Sequence, residues 1–210
     1  MRFIRRLLWV ALRLIGILSG VCFVLYLYER PNPSRAETEQ YAVYSAYLEP
    51  GLTGESHSLG SRSGLVVILS KTTVSDLFIN NTRRVQYAFL LASLRHARKR
   101  LPGMSAWPAV NLLVVNLRNA NLQPKFTLLA QYRLATETDA ALRFMPEFER
   151  KFPGNYGYHT FSRVGFNRDL SEAFFYTEHV CGLCGGGRFV YMRKTDGKWE
   201  IVAESWTWIS

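Results

Sequence analysis

The longest apolar run in the chain lies close to its N-terminus. Residues 7–28 form a 22-residue apolar stretch that one charge, Arg13, interrupts. About 20 apolar residues, at a rise of about 1.5 Å per residue, are enough for a helix to cross a bilayer. Three arginines come before this stretch: Arg2, Arg5 and Arg6. Because positive charge stays on the cytoplasmic side, the pattern predicts one transmembrane helix with its N-terminus inside and the rest of the chain outside.

Two other processing routes compete with an uncleaved anchor. A cleaved signal peptide has small residues after its apolar region, whereas charged residues and Pro31 follow Tyr28 here. A lipoprotein would carry its lipid on Cys22, but residues 23–28 remain apolar beyond this cysteine. The uncleaved anchor is the prediction that we retain, and the other two routes stay open.

The chain divides into three parts on this reading. Residues 1–30 form the anchor, and residues 31–35, with two prolines, form a short extended linker. Residues 36–210 are long enough for one domain with its own core. The order of its elements, helices first and strands last, predicts an α+β fold with helices packed on an antiparallel meander sheet of four or more strands.

Three helices are predicted in this domain. Ser34 and Glu37 match a capping box for a helix that ends near Pro50. Thr82 begins a second helix, to about residue 101, and a threonine at 136 or 138 begins a third, to about residue 152. Pro146 is expected to kink this third helix.

The predicted strands concentrate in the last quarter of the chain. Alternating polar and apolar residues indicate strands at 160–166, 173–181, 187–194 and 199–209. Asp196-Gly197 predicts a tight hairpin turn, and the glycines at 185–187 predict a flexible one. Alternation in the last strand places Trp206 and Trp208 on one face, where an exposed pair would suit sugar stacking.

The other strand predictions lie earlier in the chain. Residues 64–70 are short, apolar and rich in β-branched side chains, as in a buried strand. Residues 127–135 have strand composition, and residues 108–123 fit either a strand or a short helix.

Composition narrows the class of partner. The chain has 210 residues, of which 48% are apolar and 20% charged, so it is not a disordered chain. Lys and Arg number 26 against 16 Asp and Glu, a net charge of +10, and residues 1–30 supply +4 of it. The +6 on residues 31–210 does not indicate nucleic-acid binding. We expect the membrane to be contacted through residues 7–28, and a further partner to be an envelope protein, a glycan or a lipid.

Once the charge of residues 1–30 is set aside, one basic patch remains, at the end of the second predicted helix. It consists of Arg95, Arg98, Lys99 and Arg100. Cations at a helix C-terminus complement the helix dipole, which explains the patch without a ligand. A site for anionic lipid headgroups or an anionic polymer is the functional alternative.

Several short motifs together resemble a recurring bacterial domain. They are FSRVGFN at 161–167, CGLCGGG at 181–187, GKW at 197–199, WIS at 208–210 and YSAYL at 44–48. The combination resembles a family of uncharacterised exported bacterial proteins and lipoproteins across most of residues 36–210. The resemblance implies an exported domain with this meander and implies no activity. Together with the anchor, it predicts the bacterial inner (cytoplasmic) membrane, with the C-terminal domain outside the cytoplasm.

The densest group of chemically active residues lies at a predicted hairpin tip. Cys181 and Cys184 are spaced as C-x-x-C, and His179 precedes them. An oxidising compartment favours a Cys181–Cys184 disulfide. Three alternatives stay open: a thiol-redox pair, a zinc site with His179, Cys181 and Cys184 as ligands, and a glycine-rich turn without special cysteine chemistry.

No other catalytic pattern is present in the sequence. It contains neither a G-x-S-x-G nor an H-E-x-x-H motif, and nothing names a partner for His159. We predict no catalytic residues and no cofactor, and leave enzymatic activity unassigned. The sequence predicts a membrane-anchored extracytoplasmic binding or accessory domain. The alternative is a thiol-redox or zinc-dependent accessory enzyme built on the cysteine tip.

Overall fold

The chain forms two compact units, Met1–Arg30 and Pro31–Ser210, and each is described by itself. The structure is a computed structural model. It describes residues 2–52, 65–73, 88, 90–92, 94–95, 99–101, 103–143, 145–155, 157–181 and 185–210.

The first unit is a single helix, α1, spanning Arg2–Glu29. Its segment Leu12–Glu29 has a mean hydropathy of 1.6, and none of the segment is buried. Ile15 and Phe23 are each about 60% exposed. The predicted N-terminal apolar helix is therefore confirmed, and it is long and apolar enough to cross a membrane. Signal sequences share these properties, so the helix alone leaves the choice between anchor and signal open.

The second unit begins with α2, which spans Pro33–Leu52. The Asn32 side chain, rather than that of Ser34, accepts hydrogen bonds from the first backbone N–H groups, those of Ser34 and Arg35, at 3.1 and 3.3 Å. The predicted cap was thus two residues late, because Pro33 is well suited to the first helical position. At the other end the helix continues past Pro50 for two residues.

Seven strands form one sheet in this unit. They are β1 Leu65–Leu69, β2 Gln131–Ala135, β3 Gly157–Phe161, β4 Gly165–Phe166, β5 Glu172–Cys181, β6 Gly186–Thr195 and β7 Lys198–Ile209. The strand order is β2-β1-β3-β5-β6-β7, with β4 paired to β5. The predicted strand over 160–166 is in fact two strands, β3 and β4.

The sheet is mixed, so the prediction of a purely antiparallel meander was wrong. β3, β5, β6 and β7 are antiparallel neighbours, whereas β1 pairs in parallel with both β2 and β3. Parallel pairing requires a crossover that returns the chain to the same end of the sheet, usually through a helix. Such helices occur in both crossovers, between β1 and β2 and between β2 and β3.

Three helices whose bounds fall wholly within the described residues lie in these crossovers: α3 Ala106–Val115, α4 Glu137–Ala141 and α5 Pro146–Lys151. The ambiguous segment 108–123 therefore contains a helix. Thr136 caps α4 in a capping box with Asp139. Pro146 begins a new helix rather than kinking a long one, since proline fits the first helical turn. The predicted helix over 82–101 lies mostly outside the described residues.

Apolar residues are buried on both faces of the sheet. The α2 face packs Phe161 and Phe175 against Tyr44 of α2, with ring centroids 4.4 Å apart for Tyr44 and Phe161. The α3 face packs Tyr176 and Phe189 against Leu112 of α3 and its apolar neighbours. Burial raises the pKa of Tyr44, whose hydroxyl donates to the Ser162 carbonyl at 2.7 Å.

Two register shifts interrupt the pairing of β6 with β7. At the shift between Gly187 and Arg188, Trp206 lies opposite Arg188 while Trp208 lies opposite Gly187. Adjacent positions on β6 point to opposite faces, and a bulge inserts one extra residue into a strand. Trp206 and Trp208 therefore lie on opposite faces of the sheet, and the prediction that they share one face was wrong.

Candidate functional site

Polar side chains concentrate at the end of the sheet where β5 ends and β6 begins. Two clusters lie there on opposite faces. The histidine cluster, on the α2 face, consists of His159, His179, Arg188, Glu204 and Trp206. The glutamate cluster, on the α3 face, consists of Tyr176, Glu178, Thr207 and Trp208.

The two histidines of the first cluster are stacked. His159 on β3 lies directly across from His179 on β5, with ring centroids 4.6 Å apart. Burial, reinforced by the positive charge of Arg188, lowers the pKa of His179 to about 4. Burial, the neighbouring His179 and Arg188 together hold the pKa of His159 well below its usual value. Both imidazoles are therefore neutral at pH 7, and neither supplies a positive charge to a nearby thiol.

Arg188 is the permanent charge of the histidine cluster. Its Nη1 lies 3.1 Å from Oε2 of Glu204, and its guanidinium carbon lies 3.9 Å from the centre of the Trp206 ring. The Arg188 residue is 8% exposed. A buried cation needs a partner and hydrogen bonds to offset its lost hydration. Glu204 and the indole face supply these interactions, so the Arg188 charge is already used within the fold.

The carboxyl group at the centre of the glutamate cluster is buried. Glu178 has no exposed surface, and its Oε1 accepts hydrogen bonds from the Tyr176 hydroxyl at 2.8 Å and the Trp208 Nε1–H at 3.1 Å. Burial and the nearby Glu178 raise the pKa of Tyr176, so its phenol stays protonated and donates. Neutral donors thus hold a buried carboxyl group between β5 and β7.

The glycines at the start of β6 explain how both clusters pack. A Cβ on Gly186 would lie 2.6 Å from a Trp206 ring carbon. A Cβ on Gly187 would lie 2.1 Å from the Tyr176 hydroxyl oxygen and 2.3 Å from Trp208 Nε1. The predicted flexible turn at 185–187 was therefore wrong in part, since Gly186 and Gly187 are strand residues on which indoles pack.

The predicted cysteine site is only partly described. Cys181 is the last residue of β5 and is buried. His179 comes two residues earlier on the same strand, so both side chains lie on the same face. Cys184 lies outside the described residues. No group of three His, Cys, Asp or Glu within the described ranges is arranged to hold a metal ion. The predicted zinc set of His179, Cys181 and Cys184 therefore stays a prediction, as does the disulfide.

The basic patch is also described in part. Arg95, Lys99 and Arg100 are exposed, whereas Arg98 lies outside the described residues. No ligand chemistry follows from these three positions alone.

The sequence did not reveal how these residues combine. Nothing along the chain pairs His159 with His179, or Arg188 with Glu204, because each pair joins different strands. Only the strand register brings them together. Alternation along β5 did place His179 and Cys181 on one face, and this pair was the part of the site that the sequence could predict.

No family model, no curated protein and no solved structure matches this chain. The resemblance to exported bacterial proteins therefore stays a prediction.

Proposed function

We propose that the chain is a binding or accessory domain held outside the cytoplasm by an uncleaved anchor in the bacterial inner membrane. The observation that carries the proposal is α1. It presents apolar side chains around its whole circumference, and none of its segment Leu12–Glu29 is buried. An apolar helix of this kind is stable when lipid surrounds it.

The orientation follows from charge. Arg2, Arg5 and Arg6 precede the apolar residues, and Glu29 and Arg30 follow them. The excess of positive charge at the N-terminal end favours retention of that end in the cytoplasm. Residues 31–210 are then exported.

A binding role is preferred to a catalytic one because the polar clusters are engaged within the fold. Arg188 is ion-paired with Glu204, and Glu178 accepts two hydrogen bonds. His159 is buried, and its lowered pKa leaves it a weak base. These arrangements support the structure and leave little for acid–base chemistry.

A Cys181–Cys184 disulfide is part of the proposal. Cys181 closes β5, and the chain re-enters the sheet at Gly186 on β6. A bond across this tip would fix the start of the strand on which both tryptophans pack. Cys22, by contrast, is a free and exposed cysteine of α1.

The alternative is a thiol-redox or zinc-dependent accessory enzyme at the same tip. His179 and Cys181 lie on one face of β5, which is the observation that favours it. Thiol titration and zinc analysis of the purified protein, before and after reduction, separate the two cases. One free thiol per chain, from Cys22, no bound zinc and a reduction potential below about −300 mV support the structural disulfide, whereas one zinc per chain or a potential in the range of exchange catalysts supports the alternative.

Membrane fractionation tests the anchor. A full-length fusion to alkaline phosphatase at the C-terminus, which is active only after export, should be active and membrane-bound. The intact mass should include residues 1–30, and residues 31–210 expressed alone should be soluble. A matched variant with Arg2, Arg5 and Arg6 changed to Glu should lose phosphatase activity. A soluble, shortened product from the full-length chain would contradict the anchor.

A further inference from the structure

A groove lies between α2 and the turn that joins β6 to β7. Its volume is about 670 Å³, within the range of small-molecule sites. It is lined by Ala42 and Ala46 of α2, by Thr127 and by Trp199 of β7. None of these residues belongs to the histidine cluster or the glutamate cluster.

The walls of the groove are held in place before any ligand arrives. The Trp199 Nε1–H donates to Oε1 of Glu39 at 2.6 Å, and the Lys194 ammonium binds the same oxygen at 2.6 Å. On the other side, Ser45 Oγ accepts the Thr127 N–H at 2.9 Å. A preformed site loses less entropy when it binds a ligand.

Two side chains of opposite charge line the groove and do not form an ion pair with each other. Glu49 contributes from α2 and Lys198 from the first position of β7. Neither side chain forms an ion pair or hydrogen bond with any residue in the described part of the chain. Gly197, with a φ of 80°, and Asp196, with a φ of 50°, form the tight turn that sets the position of Lys198.

The position of Glu49 is unfavourable for the helix alone. It lies in the last turn of α2, where the helix dipole already places negative charge. A carboxylate there is destabilising unless a cation approaches it. The Glu49 carboxylate therefore suits an ammonium group, and the Lys198 ammonium suits an anion such as a carboxylate or a phosphate.

We infer that this groove binds a small zwitterion, with its ammonium group at Glu49 and its anionic group at Lys198. The inference rests on the proposed binding role and deepens it by naming the chemistry of the ligand. A free dipeptide and the phosphoethanolamine headgroup of a lipid both carry this pair of charges, and both fit the chemistry of the groove.

Calorimetric titration of the full-length protein in a non-ionic detergent tests the inference. The probes are dialanine, its N-acetyl derivative without the ammonium group, its amide without the carboxylate, and phosphoethanolamine. At least one zwitterion should bind with a dissociation constant in the millimolar range or tighter. For dialanine, each blocked derivative should bind at least tenfold more weakly. Equal binding of dialanine and both derivatives, or no binding of either zwitterion at 10 mM, would overturn it.

Substitutions locate the site. Glu49→Gln and Lys198→Gln should each weaken binding at least tenfold, and the double exchange Glu49→Lys with Lys198→Glu should restore part of it. Glu37→Gln, on the exposed part of α2 away from the groove, should leave binding unchanged. Equal losses in the Glu37 and Glu49 variants would refute a site at the groove.

Vesicles identify the source of the ligand. The protein reconstituted with phosphatidylethanolamine should show no further binding of free zwitterions if a lipid headgroup fills the groove. Protein reconstituted with phosphatidylglycerol alone should still bind them. Failure of every zwitterion removes this inference and leaves the fractionation result, and with it the anchored domain, untouched.

Discussion

At the end of the sheet where β5 meets β6, Arg188 and two stacked histidines lie on the α2 face, whereas on the α3 face Glu178 accepts hydrogen bonds from Tyr176 and Trp208. Arg188 keeps its charge through Glu204, whose side chain is 28% exposed, and beneath Trp206, which is 38% exposed. Glu178 has no exposed surface at all. The α2 face therefore retains contact with solvent at Glu204 and Trp206, while the α3 face is closed around the Glu178 carboxyl group.

The glycines below the two indoles give the largest expected difference between the faces. Gly187→Ala would place a Cβ against Tyr176 and Trp208 on the closed face, and we expect it to lower the free energy of unfolding by about 3 kcal/mol. Gly186→Ala meets Trp206, which is able to move toward solvent, and should cost about 1 kcal/mol. Denaturant unfolding of the two variants measures both values. Equal losses would contradict the contrast between the faces.

Low pH should destabilise the packing on the α2 face before that on the α3 face. The folded-state pKa of His179 is about 4 against about 6.5 in an unfolded chain. The unfolded state therefore binds the proton first, and stability is complete above pH 6.5 and falls as the pH drops toward 4. His179 alone accounts for roughly 3 kcal/mol of this loss. Urea unfolding as a function of pH measures it.

The histidine assignment has its own control. A double variant, His159→Gln with His179→Gln, should have a flatter stability profile between pH 6.5 and 4. The other two histidines, His57 and His96, remain in this variant. An unchanged slope would assign the acid sensitivity to groups outside the histidine cluster.

Removal of the indole N–H groups tests the same contrast on a smaller scale. Trp208→Phe takes a donor from Glu178 and Tyr176 on the closed face, and should cost about 1–2 kcal/mol. Trp206→Phe keeps an aromatic face for Arg188 and should cost about 0.5 kcal/mol. Thermal unfolding measures both, and a larger loss at Trp206 would reverse our ranking of the two clusters.

The smallest effect expected is electrostatic. Arg188→Met removes the positive charge that helps to lower the pKa values of His159 and His179, so both pKa values should rise. Arg193→Met, on the same strand but outside the histidine cluster, is the matched control and should leave them unchanged. Titration of the imidazole resonances by NMR distinguishes the two variants. Equal shifts would mean that Arg188 does not act on the histidines directly.

The sequence was informative where structure is local. Alternation located β5 and β6 to within a few residues, and Thr136 capped a helix as its side chain predicts. The prediction of one helix up to about residue 152 was wrong, because Pro146 begins a second helix there. The parallel strands and the bulges in β7 are set by contacts between distant segments, which a periodic pattern does not contain.

The candidate sites show the same division. Neighbours on one strand, such as His179 and Cys181, were recognisable as a pair. The stacked histidines were not, because their pairing depends on the β3–β5 register. The groove at Glu49 and Lys198 was also invisible, since its two charges come from a helix and a hairpin far apart in the chain.

The order of strands has a consequence for how the domain is assembled. β1 is made first, yet both of its neighbours, β2 and β3, follow much later in the chain. A chain synthesised from its N-terminus holds this apolar strand without a partner until Gln131 and the residues beyond it emerge. The hairpins of β5, β6 and β7 need only local contacts and should form quickly once made, whereas the parallel pairs are the slow step. Until then β1 is an unpaired strand that is able to pair with other chains. The yield of folded protein should therefore depend on how soon the residues of β2 and β3 are synthesised after β1.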